Sequence, residues 1–324
     1  MYRIFAFAGI SLFTLFLTAC GGTQMLYYSE SDPGTYLVTD DGSEVIFLTS
    51  SGHSPTISPD GEQLVYVNNN SQLVLRNLNS SSESTITDPT GGIRCPDSFF
   101  AQPRQSQFCW FHSPRFSPDG TEVAFIVDFQ YHTTPQLNGR LGVVQLDTLD
   151  FSFNMPSGGL SPLGIIHAPA YSPDGSQLVF SAQPELTGDF QQPRDQLGRG
   201  DIYVMDANGG SAQKLTSGGQ FAQPAWGSFG NLGERIVYVS HEDDYQQIHW
   251  MRPTGSQKER LTDNSHNDFS PAVWPGTPLI AVLSDRPSDV EGADVYTLEI
   301  DGTEHRRLTT DGGSKNLLHW AVGD

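Results

Sequence analysis

Apolar residues along this chain fall in short runs, and the stretches between the runs are rich in turn-forming residues. Three of the runs, Gln63–Val67, Glu122–Ile126 and Gln177–Phe180, directly follow the phrase Ser-Pro-Asp-Gly and one further residue. Proline fixes φ, aspartate bonds its own backbone and glycine takes a positive φ, so the phrase predicts a tight turn. Short runs of Val, Ile, Leu, Tyr and Phe between such turns are typical of β-strands. No helical periodicity follows the N-terminal segment, and the pattern therefore predicts an all-β chain.

The phrase belongs to a repeat. Each copy opens with a proline, and these prolines are spaced by 47 to 59 residues; they are Pro55, Pro114, Pro169, Pro224 and Pro271. Each unit predicts four strands: one ending in the phrase, the run after it, an alternating run such as Asp201–Asp206, and a last strand ending in Leu-Thr, such as Lys214–Thr216. Four short strands at a regular period favour a β-propeller.

The two ends of the repeat array predict the number of blades. Before the first phrase, three segments match the second, third and fourth strands of a unit: Gln24–Tyr28, Thr35–Thr39 and Glu44–Thr49. At the other end, Asn316–Trp320 matches a first strand. We therefore expect a six-bladed propeller as a single domain over residues 24–324, with the N-terminal strands and residues 316–321 sharing one blade. Closing the ring in this way removes an open sheet edge.

The motif Pro-x-aromatic-Ser-Pro-Asp-Gly, followed by a strand, an Asp-Gly turn and a closing Leu-Thr, resembles the TolB-type (WD40-like) propeller repeat. The stretch from Leu283 to Thr309 is similar to a complete copy. Proteins with this repeat include a periplasmic partner in an envelope complex, peptidases with an added hydrolase domain, and sugar-acid lyases. The resemblance implies the fold and leaves the function open. We expect no room for an additional α/β or hydrolase domain.

The N-terminal segment has the features of a targeting signal. One charge, Arg3, precedes an apolar run from Ile4 to Leu17, and the segment ends in Leu17-Thr-Ala-Cys20. This predicts a secretory signal over residues 1–19 and a lipidated N-terminus over residues 20–23, because the ending resembles a bacterial lipobox with Cys20 as the lipid attachment site. A membrane anchor is the alternative, but a span needs about 20 apolar residues; an ordinary signal with an incidental cysteine is another.

An exported lipoprotein would lie in the outer membrane of a Gram-negative host, on its periplasmic or surface side, and otherwise on the cell membrane. The net charge of −20, from 37 acidic and 17 basic side chains, argues against nucleic acid as a partner. Solubility or a saline habitat accounts for this acidity, and a cationic partner or divalent ions are the alternative.

Propeller geometry sorts the connections onto two faces. We call the face with the Ser-Pro-Asp-Gly and Asp-Gly turns the turn face. The opposite one, the inserted-loop face, receives three long insertions, predicted at Asp88–Ser113, Asp128–Arg140 and Gln183–Gly200. Long loops in a compact domain are commonly functional. Because Cys95 and Cys109 form an even pair in a predicted exported protein, we expect a disulfide between them, with two free thiols as the alternative.

Aromatic residues surround this cysteine pair and make a candidate binding loop; they are Phe99, Phe100, Phe108, Trp110 and Phe111. Aromatic side chains are common anchors of protein interfaces. The alternative is that these rings only pack the loop onto the propeller.

Three histidines, His53, His112 and His167, each lie two residues before a repeat proline, near the expected mouth of the central channel. Imidazoles from neighbouring blades could hold a divalent transition metal. Hydrogen bonding to neighbouring blades at the strand starts is the alternative interpretation.

We expect a non-catalytic, lipid-anchored protein that binds another envelope protein through the inserted-loop face, and no firm cofactor. The alternative is a metal-dependent carbohydrate-active enzyme or small-ligand binder with its site at the channel mouth. A purely structural lipoprotein is a third possibility.

Overall fold

A computed structural model describes residues 24–87, 108–130, 137–153, 156–157, 166–183, 199–241, 244–274, 277–287, 291–303 and 306–321. The described chain forms six four-stranded antiparallel sheets arranged as the blades of one propeller. Its helical content is a single 3₁₀ turn, Gly230–Leu232. No helix in these ranges has the length and apolarity needed to cross a bilayer. The predicted signal segment and Cys20 lie outside the described residues.

Each whole blade runs from an innermost to an outermost strand, in chain order. In the first three whole blades the strands are β4 (His53–Ile57), β5 (Gln63–Val67), β6 (Leu73–Asn77) and β7 (Glu83–Thr85); β8 (Phe108–Phe116), β9 (Glu122–Gln130), β10 (Leu137–Gln145) and β11 (Phe151–Phe153); and β13 (Ile166–Tyr171), β14 (Gln177–Ala182), β15 (Asp201–Asp206) and β17 (Gln213–Lys214). A two-stranded parallel pair joins β12 (Pro156–Ser157) to β16 (Gly210–Ser211).

The last two whole blades follow the same order. Their strands are β18 (Phe221–Ser228), β19 (Glu234–Ser240), β20 (Gln247–Met251) and β21 (Glu259–Arg260); and β22 (Asp268–Val273), β23 (Leu279–Ser284), β24 (Asp294–Glu299) and β25 (Arg306–Arg307).

The sixth blade is built from both ends of the described chain. It contains β26 (Lys315–Ala321), then β1 (Gln24–Ser29), β2 (Gly34–Thr39) and β3 (Val45–Thr49). β26 runs antiparallel to β1, with Ala321 opposite Gln24 and Lys315 opposite Ser29. The six blades and the closure by strands from both termini confirm the fold predicted from the repeat.

The repeated Ser-Pro-Asp-Gly phrase is a self-contained turn. In each copy the serine hydroxyl donates to the aspartate carboxylate, at 2.5, 2.6 and 2.7 Å for Asp60, Asp119 and Asp174. The same carboxylate oxygen accepts a backbone N–H two residues later. The glycines that end the phrase have φ of 72° to 73°, a conformation that costs glycine little. The aspartates recur because the turn requires them.

The Leu-Thr ending of the outermost strand also has a structural cause. In three blades the threonine hydroxyl accepts the backbone N–H of the second residue in the third strand, over 2.8 to 3.0 Å. These threonines are Thr216, Thr262 and Thr309, all buried. Because the outermost strands are short, this side-chain bond extends the pairing beyond the backbone ladder and holds the outer edge of these three blades.

Close packing between strands makes Gly142 intolerant of a side chain. It lies opposite Phe125 across β10 and β9, and a Cβ there would approach the fully buried Phe125 ring to 2.4 Å. We expect Gly142→Ala to destabilise the fold by about 1–3 kcal/mol, measured by urea unfolding. Combining it with Phe125→Leu should cost less than the sum of the two single substitutions, because the smaller side chain makes room. Additive effects would contradict this steric account.

Candidate functional site

The innermost strands surround a central channel, and each whole blade contributes a bulge to it. The residue before each repeat proline has a φ of 48° to 53°; these residues are Ser54, Ser113, Ala168, Gln223 and Ser270. The pairing with the second strand shifts register at the same point in all five blades. Left-handed backbone in a non-glycine residue is strained. The same strained bulge therefore recurs at one position in the innermost strand of each whole blade.

Between these bulges and the turn face lies a cavity of about 450 Å³. Its wall carries the turn prolines Pro59, Pro118 and Pro173 at one end and three of the bulge residues, Ala168, Gln223 and Ser270, at the other. Aromatic and small side chains from all five whole blades line it, including Phe116, Tyr171 and Trp226. A volume of this size is in the range of small-molecule pockets.

One cation projects into this cavity. The position after each repeat proline holds Thr56, Arg115, Ala170, Ala225 and Ala272, and all five line the cavity. Arg115 is therefore the only charged residue at this position in the five whole blades, and the residues of the other four blades are small. Its Nη1 donates to the carbonyl oxygen of Pro114 at 2.9 Å. Burial lowers the pKa of Arg115 from 12.5 to about 9, so the guanidinium is still charged at neutral pH.

Arg115 is not among the site residues predicted from the sequence, although the repeat contains a signal for it. Aligning the five repeat prolines shows an arginine in a column that otherwise holds alanine or threonine. An arginine at this position is not required by the packing of the repeat, because the other whole blades have alanine or threonine there. Its location in the cavity wall makes it a candidate functional residue.

The three predicted histidines lie just beyond the bulges, toward the inserted-loop face. The rings of His112 and His167 are 6.1 Å apart between centroids. His53 and His112 each lie within hydrogen-bonding distance of the adjacent serine hydroxyl, at 3.1 and 3.0 Å. Desolvation and the neighbouring His112 lower the pKa of His53. The structure brings the histidines together, but within the described ranges no three His, Cys, Asp or Glu side chains form a group that could hold a metal ion.

His241, which is not one of the three predicted histidines, makes the folding stability depend on pH. His241 follows β19, and burial, with a smaller contribution from Arg199, lowers its pKa from 6.5 to about 4. The folded state therefore binds fewer protons than the unfolded state between these values, and stability falls as the pH drops from about 6.5 to 4.

We expect the melting temperature of the wild-type protein to decrease over this window, and the decrease to be smaller in His241→Gln. The turn carboxylates contribute only toward the acid end of this window: hydrogen bonds from Ser172 and Ser176 lower the pKa of Asp174 to about 2 in the folded state, so its stabilisation is lost as the pH falls below about 5. Both proteins carry these carboxylates, so the difference between their pH profiles reports on His241. His266→Gln serves as a control substitution in a loop on the same face. Equal pH profiles for wild type and His241→Gln would contradict the assignment.

The predicted aromatic loop is divided by the structure. Phe111 is buried in the core of its blade, with its ring 5.5 Å from that of Phe125, so it is not available to a partner. Phe108, Cys109 and Trp110 belong to β8. Phe99, Phe100 and Cys95 lie outside the described residues, so the disulfide remains a prediction.

The insertion predicted at Asp128–Arg140 is in large part continued strand. β9 reaches Gln130 and β10 begins at Leu137, with Gln130 opposite Leu137. On the inner side, Phe108 pairs with Gln130 and Trp110 with Asp128. These three strands have nine residues each, against five to eight for the inner three strands of the other whole blades. We call the extra portion, residues 108–110, 128–130 and 137–139, the raised ladder; it stands on the inserted-loop face.

Comparison with known proteins supports the fold. No family model matches the chain. An uncharacterised protein of Agrobacterium fabrum is 26% identical over 67% of this chain and 84% of its own length. A TolB homologue of Chlorobium chlorochromatii is 30% identical over 36% of this chain, and the chain spans only 23% of that relative.

Solved structures give the same result. TolB from Acinetobacter baumannii superposes with a TM-score of 0.65 at 18% identity, over 95% of this chain and 69% of that one. An oligogalacturonate lyase in complex with manganese gives a TM-score of 0.53 at 16% identity, over 85% of this chain and 70% of that one. The architecture is a six-bladed propeller similar to that of TolB, as the repeat motifs predicted. At these identities the solved structures report on fold alone.

Proposed function

We propose that this TolB-type propeller is an envelope protein, lipidated at Cys20, that binds another envelope protein through its inserted-loop face. The observation that carries the proposal is the raised ladder, which extends one blade beyond its neighbours on that face. The repeat itself requires no such extension, because the other whole blades close with shorter strands.

The raised ladder offers a definite mode of binding. β8 is the edge strand of its sheet, and residues 108–110 lie at its end on the inserted-loop face. An unpaired strand edge accepts an extended segment of a partner through main-chain hydrogen bonds. The insertion over residues 88–107 joins the chain at the same point. We infer that the insertion and the ladder together form the partner surface.

The envelope location rests on the signal-like N-terminal segment and on the similarity to TolB homologues. An acidic chain without a basic cluster is compatible with a protein partner and poorly suited to nucleic acid.

Affinity capture from an envelope extract tests the proposal. The test variant replaces residues 91–106 by a short Gly-Ser linker and leaves β8 intact from Phe108 onward, since Phe111 packs in the core. The matched control alters the turn face by Asp301→Asn and Thr303→Ala, which removes an exposed turn hydrogen bond.

We expect a near-stoichiometric protein to be captured by the wild type and the control and lost with the test variant. Capture of the same protein by all three, or no specific protein with the wild type, would overturn the proposal. Melting curves for each variant separate loss of the surface from loss of the fold.

A further inference from the structure

Among the residues that the structure describes around the channel, none supplies a charge opposite to that of Arg115. The cavity wall contains no aspartate or glutamate, and among the described residues no carboxylate forms an ion pair with this guanidinium. Its one recorded hydrogen bond uses Nη1, toward the Pro114 carbonyl. A guanidinium has five N–H donors in a planar fork. Its other N–H groups make no hydrogen bond with the described residues, and Arg115 lines the cavity.

A half-buried cation without an anion is costly, because burial removes part of its hydration and no opposite charge compensates for that loss. The repeat offers alanine or threonine at this position in the other whole blades, so the fold has no need of an arginine here. An incoming anion would supply the missing charge and would be held by charge-assisted hydrogen bonds.

The remaining wall defines the body of such a ligand. Phe116, Tyr171 and Trp226 present aromatic surface to the cavity, while Thr56 and Ser172 add small polar groups. The indole N–H of Trp226 is already bonded to Glu234, at 3.0 Å, and the Tyr171 hydroxyl to Glu122, at 3.3 Å. These two rings therefore contribute mainly apolar surface, which suits a flat, apolar ligand body.

We propose that the channel is a binding site for a small organic carboxylate with a flat apolar body, held through Arg115. The planar fork of arginine matches the two oxygens of a carboxylate. The site is separate from the predicted three-histidine cluster, which lies beyond the bulges, and it is independent of the partner surface proposed on the opposite face.

Isothermal titration calorimetry with a graded set of probes tests this site on the exported, purified protein. The probes are acetate, benzoate and 1-naphthoate, with 1-naphthamide as the uncharged match for the last. We expect affinity to rise from acetate to 1-naphthoate and the amide to bind at least 10-fold more weakly. The strongly acidic chain repels an anionic probe, and added salt screens this repulsion as well as the attraction to Arg115. Salt should therefore weaken probe binding less than it weakens an ion pair at a neutral surface.

Three variants locate the charge. Arg115→Gln should reduce 1-naphthoate affinity at least 10-fold, and Arg115→Lys should fall between it and the wild type, since lysine keeps the charge without the fork. Arg306→Gln, an arginine exposed on an outermost strand, should change nothing. Arg115→Gln should also melt at or above the wild-type temperature in the absence of ligand, because it removes an uncompensated charge.

A short peptide ending in phenylalanine, with a free or an amidated C-terminus, distinguishes the source of the carboxylate. If the free-ended peptide binds more tightly than 1-naphthoate and this binding depends on Arg115, the natural carboxylate is that of a protein C-terminus. The proposed carboxylate site at Arg115 would then still stand. Failure of every carboxylate to bind, equal binding of the amide, or unchanged affinity in Arg115→Gln would each overturn the proposal.

Discussion

Replacing Asp294 by alanine is expected to destabilise the protein by about 3 kcal/mol, near the lower end of the cost of breaking a buried ion pair. Asp294 opens β24 and is 2% exposed. One carboxylate oxygen accepts from the Thr309 hydroxyl at 2.8 Å and from the Gly312 N–H at 3.1 Å. The other pairs with Arg307 at 2.5 Å. The substitution removes all of these bonds together.

The main loss comes from Lys315, whose side chain is fully buried and lies 3.6 Å from Asp294. Its ammonium group also contacts Asp311 at 3.0 Å, and this exposed carboxylate remains in the variant. That surviving pair is the reason for placing the cost at the lower end of the range.

Urea unfolding measures the effect, and two further variants control it. Adding Lys315→Met to Asp294→Ala should recover part of the stability, because the double variant no longer buries a cation that has lost one of its two carboxylate partners. Asp201→Ala, the same motif position in another blade, should cost less, since the side chain of its partner Lys214 is 46% exposed, whereas that of Lys315 is fully buried. Equal losses for Asp201→Ala and Asp294→Ala, with no recovery in the double variant, would contradict the role given to Lys315.

Removing residues 315–324 is expected to abolish the cooperative fold. The deletion takes away β26 and leaves the edge of β1 unpaired. It also uncovers Met25, Leu26 and Tyr27, which are at most 2% exposed in the closed ring. The free energy of unfolding of a domain is commonly about 5–15 kcal/mol. Losing a whole strand from a closed ring removes a large part of this free energy.

Near-UV circular dichroism and size-exclusion chromatography measure the outcome. The truncated chain should lose its tertiary signal or associate through β1, whereas a chain lacking only residues 322–324 should behave as the wild type. A synthetic peptide of residues 315–321 should restore part of the signal by adding back the strand. A monomeric truncated chain with an unchanged melting temperature would contradict the importance of closure.

The repeat made the fold predictable, and the reason is local. The Ser-Pro-Asp-Gly turn and the closing Leu-Thr each form hydrogen bonds within one blade, as Asp60 and Thr216 do. Motifs with such local causes can be recognised in the sequence. Five copies of the repeat proline, together with the partial units at the two ends, predicted six blades, including the one split between the ends.

The candidate site was less accessible to sequence reasoning, because it depends on how blades face one another. Phe111 belongs to an aromatic cluster in the sequence, yet its strand register turns it into the core. The Asp128–Arg140 segment has an insertion's length, but its backbone continues the pairing of β9 and β10. Arg115 gains its significance only when five inner strands close around one cavity.

The split blade also determines how a tethered molecule would be oriented. Gln24 and Ala321 lie side by side, at the point where other blades place a Ser-Pro-Asp-Gly turn, so both strands end at the turn face. Four residue steps separate Gln24 from Cys20, and an extended chain spans at most about 3.6 Å per residue. A lipid on Cys20 would therefore hold the turn face, and the entrance to the Arg115 cavity, within about 14 Å of the bilayer surface. The partner surface would then point into the aqueous compartment, and the channel would take its ligand from the membrane side.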